Sequence, residues 1–210
     1  MHTFTLVFLT ALALTTLIQI WLATRHIRHI RAHQNTVPEK FSSQINLADH
    51  QKAADYTCAK TRTGYPGVVL QVALLLIFTL GGGLNALNSF WANWLGDPLA
   101  HGMALIISTF LLMGIAEVPL SYYRTFVIEE QYGFNKMTRA MFFTDLIKQS
   151  LLGLLLGAPL LFCVLWLMEK TGENWWLYAW LAWIAFNLVV LAIYPTWIAP
   201  LFNKFTPLED

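Results

Sequence analysis

Charge is the scarcest ingredient of this sequence. Asp, Glu, Lys and Arg make up 12% of its 210 residues, about half the ~25% of an ordinary soluble domain. With 57% hydrophobic residues beside that shortage, the composition points into a bilayer. A formal net charge of +1 selects no partner, and no basic run is dense enough for nucleic acid, which is not an expected partner. Cysteine is nearly missing. Cys58 in a polar segment and Cys163 in an apolar run exclude a disulfide framework, and no Cys-x-x-Cys pair suggests metal or redox chemistry. Catalytic motifs are absent as well. None of the six His is followed by Glu, so there is no His-Glu-x-x-His to hold zinc and activate water. No Gly-x-Ser-x-Gly elbow, phosphate loop or dinucleotide fingerprint occurs either. The chain alone is therefore not expected to hydrolyse anything, and none of its residues is expected to act catalytically or bind metal.

What the sequence has in quantity is apolar runs. Residues 4–23 are long enough to cross ~30 Å of hydrocarbon at ~1.5 Å per residue. Positive charge follows the run (Arg25, Arg28, Arg31) and does not precede it, the reverse of a cleaved signal peptide. This predicts a retained first span with the N-terminus outside. Further spans are expected at about 67–87, 103–123, 150–168 and 175–194. The fold class is thus all-α, a transmembrane bundle of about five spans with cytosolic helical loops. The 9 Trp and 7 Tyr suit two membrane–water interfaces. Lys and Arg distribute unevenly: seven fall in residues 24–66, four in 124–148 and one in the tail, leaving only Lys170 of the 13 elsewhere. By the positive-inside bias, those segments and the C-terminus face the cytosol.

The connectors carry local signals. Asn46 is placed to cap a helix over 46–62, with Gly64 as its stop. His26 and His29, three apart, are better read as a basic, headgroup-facing helix end than as a metal pair. Gly81-Gly82-Gly83 admits two readings, close approach of a neighbouring backbone or an early helix end. Residues 88–102, without Lys or Arg, are expected to form a short external loop. Glu117, near Pro119 in the third span, is a functional candidate because a carboxylate in a span must face protein or water; the alternative is simple reach to the interface. Asn135 or Thr138 caps the helix that follows, and Asp145 and Lys148 share one helical face. Gly153-x-x-x-Gly157 is a close-packing pattern. Pro195 and Pro200 are expected to break the fifth helix.

Two strings stand out. Glu129-Glu130-Gln131-Tyr132-Gly133-Phe134-Asn135-Lys136-Met137-Thr138 is the most polar stretch of the chain, and Ile198-Ala199-Pro200-Leu201-Phe202-Asn203-Lys204-Phe205-Thr206-Pro207-Leu208 ends it. Together with Tyr56-Thr57 and Lys60 on the cytosolic helix, they resemble, in order, the membrane region of the type I CAAX prenyl proteases, integral-membrane zinc metalloendopeptidases. The resemblance implies a parent enzyme whose zinc and peptidase region lie C-terminal to residue 210, with zinc as its cofactor and none bound by this chain. It also implies that residues 1–210 form the N-terminal transmembrane domain. The implied partners are the lipid bilayer, that peptidase region, and prenylated or other membrane-associated protein substrates. Glu117 is then expected to line an intramembrane chamber. Glu129, Glu130, Asn135 and Lys136 would support the catalytic region, and Pro195, Pro200, Phe202, Asn203 and Phe205 would fix the chain's exit from the membrane. A bacterial inner membrane is the preferred location, with the endoplasmic reticulum as the alternative. A transporter module and a non-catalytic membrane scaffold are the rival readings. Transporters often carry two similar halves, and none is visible here. A His-Glu-x-x-His downstream would decide for the peptidase.

Overall fold

The computed structural model describes residues 2–202. All regular structure among them is helical, and five helical segments are long and apolar enough to cross a membrane: Thr3–His33, Leu47–Thr79, Pro98–Tyr132, Arg139–Lys170 and Gly172–Leu201. The reason is the solvent. Hydrocarbon offers no partner to an N–H or C=O, so a spanning chain must satisfy its backbone within itself. Contacts divide the chain into two compact units, Met1–Leu84 with Leu111–Met137, and Asn85–Phe110 with Thr138–Asp210.

In the first unit, α1 (Thr3–His33) outruns its expected span by ten residues. At ~1.5 Å per residue it is some 16 Å longer than ~30 Å of hydrocarbon requires, and the excess carries the three Arg. Arg25 lies over the Trp21 ring at 5.5 Å. Its buried residue, Ile27, belongs to a small core with Ala54, Cys58, Thr63 and Ile128. α2 (Leu47–Arg62) starts as expected: Asn46 Oδ1 accepts from the Asp49 N–H at 2.8 Å, and Asn46 Nδ2 donates back to Asp49 Oδ2 at 2.8 Å, a reciprocal N-terminal box. Ala54 and Cys58, four apart, give α2 its buried face.

α2 ends at Arg62, where the sequence analysis puts its end, but Gly64 does not cap it in the left-handed region. Thr63 keeps near-helical angles (φ −69°, ψ −9°), and Gly64 opens α3 (Gly64–Thr79) directly behind it. The tyrosine hydroxyl of Tyr65 and Thr24 Oγ1 hydrogen-bond at 2.9 Å, tying α3 to α1. The second span ends at Thr79, not at 87, so the early-end reading of the glycine triplet holds. Gly82 has φ +80°. A Cβ on Gly81 or Gly83 would come 2.9 Å from the Ile77 carbonyl oxygen, so the close approach is to the helix's own end and not to a neighbour.

α4 (Gly83–Ala92) and α5 (Pro98–Tyr123) replace most of the expected external loop. Asp97 Oδ2 accepts from the Ala100 N–H at 2.8 Å, an N-cap that starts the third span at Pro98, five residues early. Trp91 Nε1 donates to Ser108 Oγ at 3.0 Å. Past Tyr123 the helix widens into a π-helical turn, Arg124–Glu129, and closes with α6 (Glu130–Tyr132).

The second unit is built on a hairpin of α7 (Arg139–Lys170) and α8 (Trp175–Ile193), which pack on each other. Thr138, not Asn135, is the cap: its Oγ1 accepts from the Met141 N–H at 3.2 Å. Asp145 and Lys148 approach to 3.8 Å. Gly153 and Gly157 would meet nothing within 4 Å if given a Cβ, so the close-packing motif has no partner among the described residues. Pro195 and Pro200 do not break the chain's helical course. It continues as a π-helical turn, Tyr194–Ile198, and a 3-10 turn, Ala199–Leu201, because each proline enters near the start of a new turn, where its missing N–H leaves no bond unmade.

Gly82→Ala is expected to destabilise the chain by ~1–2 kcal/mol, the penalty for a Cβ in the left-handed region. Gly153→Ala should stay within ~0.5 kcal/mol. Unfolding in detergent, followed by circular dichroism, measures both.

Candidate membrane-interface site

The polar string around Glu129 is half helix and half turn. Gly133, with φ +78°, terminates α6 and donates its N–H to the Glu130 carbonyl at 3.0 Å. Only a residue tolerant of the left-handed region reverses the chain there. Phe134 and Asn135 then both donate to the Glu129 carbonyl, at 2.9 and 3.2 Å. Asn135 does three jobs in this turn. Its side-chain Nδ2 donates to Glu130 Oε2 at 2.8 Å, its Oδ1 accepts from the Met137 N–H at 2.7 Å, and its backbone closes on Glu129.

Aromatic side chains fasten this turn to α2. Tyr56 packs edge-on against Tyr132 at 5.4 Å and tilted against Phe134 at 4.6 Å between ring centroids. Lys52 lies 5.9 Å over Phe134 and Lys60 5.7 Å over Tyr56, within cation–π range. In the sequence Tyr56 stands out only within the Tyr56-Thr57 and Lys60 string. Its spacing from Lys52 and Lys60, four residues each way, was the available signal.

Glu130 and Asn135 are thus bonded to each other within the turn, with the Glu129 backbone between them, a pairing the sequence analysis did not anticipate. The Glu129 carboxylate and the Lys136 ammonium have no hydrogen bond or ion pair among the described residues and remain available. Glu117 lines a cavity of about 160 Å³ with Gln71, Ser121 and Arg124. Arg124 was missed by the sequence reading, although it is the first cation after the third apolar run and lies two helical turns from Glu117. Arg124 Nη2 donates to the Thr63 carbonyl at 3.3 Å.

In the second unit, Pro195 and Pro200 are exposed and Phe202 is half-buried. Lys148 Nζ donates to the Leu201 carbonyl at 3.2 Å, pinning the exit to α7. Asn203 and Phe205 lie outside the described residues. Among the described residues no three His, Cys, Asp or Glu side chains are grouped to hold a metal ion. His29 and His33 stack at 4.3 Å, and His33 Nδ1 is engaged by the His29 carbonyl at 2.8 Å.

With this geometry in place, the comparisons with known proteins decide the family. The family described as "CAAX prenyl protease N-terminal, five membrane helices" matches residues 26–204. The chain belongs to it. Among curated proteins, "CAAX prenyl protease 1 homolog" of Dictyostelium discoideum is 34% identical over 181 residues, covering 82% of this chain and 42% of that protein. "Probable CAAX prenyl protease 1" of Schizosaccharomyces pombe is 40% identical over 188 residues, covering 82% and 39%. A crystal structure of S. mikatae Ste24p superposes with a TM-score of 0.89 at 25% identity, over 100% of this chain and 50% of that one. The chain therefore spans about two fifths of the length of these curated CAAX prenyl protease relatives. It is a multi-pass membrane domain of this family. The relatives named here are eukaryotic, and they lend no support to a bacterial inner membrane.

Tyr56→Ala should destabilise the α2–turn junction by ~1–3 kcal/mol, two aromatic pairs at ~0.5–1.5 each. Hydrogen exchange should accelerate at residues 133–137 while amides at the centre of α7 keep their rate; Tyr56→Phe should resemble the parent chain.

Proposed function

We propose that this chain is the membrane half of a zinc-dependent endopeptidase. Its spans wall a water-accessible chamber, and its basic segments support a catalytic region that cuts near the C-terminus of prenylated or other membrane-associated proteins. Family membership supports the reading, and the observation that carries it is the built turn at Glu129–Asn135. A mere connector needs neither a triply engaged Asn nor an aromatic clasp to a second helix. Such a turn presents a fixed edge, with the Glu129 carboxylate and the Lys136 ammonium unspent, to a neighbour in the water layer.

In this account the zinc and its ligands belong to the catalytic region. Glu117 contributes a polar patch to the chamber wall. Pro195, Pro200 and Phe202, with Asn203 and Phe205 beyond them, set the direction in which the chain leaves the fifth span. The bias of Lys and Arg supports an orientation with these segments and the C-terminus in the cytosol.

The test is cleavage by this chain joined to its peptidase region, assayed on a prenylated peptide with and without a zinc chelator. The parent should cleave in a zinc-dependent way. Asn135→Ala and Glu130→Gln should lose ~10-fold or more, as expected for a broken hydrogen bond to a charged group at ~1.5–3 kcal/mol. No zinc-dependent cleavage by the parent, or undiminished cleavage by both folded variants, contradicts the proposal.

A further inference from the structure

The cavity between α3 and the end of α5 holds a cation that the fold has not paired. Arg124 spends one N–H on the Thr63 carbonyl, at 3.3 Å, of the five a guanidinium offers. It forms no ion pair among the described residues. Room for it is made by the absence of a side chain: a Cβ on the buried Gly67 would lie 2.9 Å from Arg124 Nη2 and 3.3 Å from Leu120 Cδ2. Gln71, Ser121 and Glu117 face the same cavity, and none of their side chains makes a hydrogen bond among the described residues. Four exposed polar side chains thus line one cavity, and their one hydrogen bond is Arg124's to the Thr63 carbonyl, so their remaining donors and acceptors are open to a ligand.

The level of the site in the membrane is marked twice. Polar α2 gives way to apolar α3 at Thr63–Gly64, and apolar α5 gives way to the polar turn at Arg124. Both transitions meet at the Arg124–Thr63 hydrogen bond, so the guanidinium stands where apolar helix gives way to polar chain, the boundary at which a span meets lipid headgroups. The π-helical turn begins at Arg124, and such widened turns recur at functional sites.

We propose that this cavity binds the phosphodiester of a phospholipid headgroup, through Arg124 in bidentate fashion with Ser121 and Gln71 as neutral donors. Leu70 and Leu120, on the same wall, receive the apolar beginning of the lipid. Glu117 sets the selectivity. Seven residues before Arg124, about 10 Å along the helix, its carboxylate disfavours a doubly charged anion, so the singly charged diester is preferred over inorganic phosphate. The inference goes beyond the peptidase reading and does not rest on it.

Native mass spectrometry of the purified chain in mild detergent tests it, with phosphatidylglycerol or phosphatidylcholine added. The parent chain should retain one phospholipid of either kind, and equimolar inorganic phosphate should not displace it. Arg124→Gln should lower retention at least 10-fold, and Gly67→Ala, which pushes the guanidinium aside, several-fold. Ser121→Ala, a mild change that leaves Arg124 in place, should lower it about 2–5-fold and so keeps the test decisive should the first two variants misfold. Undiminished retention by folded variants overturns the proposal. Displacement by inorganic phosphate would reveal a free-anion site, and displacement by a peptide with a free C-terminal carboxylate but not by its amide would reveal a peptide-end site; either result also overturns it.

Discussion

The constraint on which everything else in this chain depends is that hydrocarbon leaves no backbone group a partner outside the chain. It makes every span a helix and confines irregular backbone to the ends. It also explains the thinness of the core. Among the described residues only Ile27, Ala54, Cys58, Thr63, Ile128, Phe142 and Ile198 are buried side chains of any size, while large apolar residues such as Phe4, Phe110, Leu155 and Leu191 are open. In water that surface would drive aggregation; in lipid it is the ordinary outer face of a span.

Because lipid supplies no hydrophobic drive between helices, specificity falls to the few polar and aromatic groups at the membrane's edge. The Thr24–Tyr65 hydrogen bond, the Arg124–Thr63 contact and the Tyr56 clasp on Tyr132 and Phe134 all join α1, α2, α3 and the end of α5 on one side of the apolar runs. The same end of the unit holds the family's signature turn. Structural fastening thus concentrates in one polar string of a sequence otherwise poor in charge.

The number and kind of spans were legible in the sequence because hydropathy reports the solvent directly. The Asn46 box and the Thr138 cap were legible because capping is local. Boundaries were harder. Gly64 marks the end of α2, yet Thr63 keeps near-helical angles, so α3 starts directly behind it, and nothing in the sequence marks so short a junction. Gly81–Gly83 left two readings open because the deciding atom, the Ile77 carbonyl, lies within the same helix end. Pro195 and Pro200 look like breakers until the registers of a π-helical turn and a 3-10 turn show each at a position that needs no N–H. Of the residues that build the turn, Glu130 and Asn135 stood out in the sequence through a string. Arg124 and Gly67 did not stand out, because their relation is between helices far apart in sequence, and one of the two contributes by having no side chain.

The proposed orientation rests on the bias of Lys and Arg alone: it puts residues 124–148 on the cytosolic side with the other basic segments and residues 169–174 outside. Side-specific labelling tests it most directly. Gln131→Cys and Glu173→Cys, each alone in a background with Cys58→Ser and Cys163→Ser, would be exposed to a membrane-impermeant maleimide in sealed vesicles of known orientation. The account predicts that position 131 reacts only from the cytosolic side and position 173 only from the other. Reaction of both positions from the same side would contradict it.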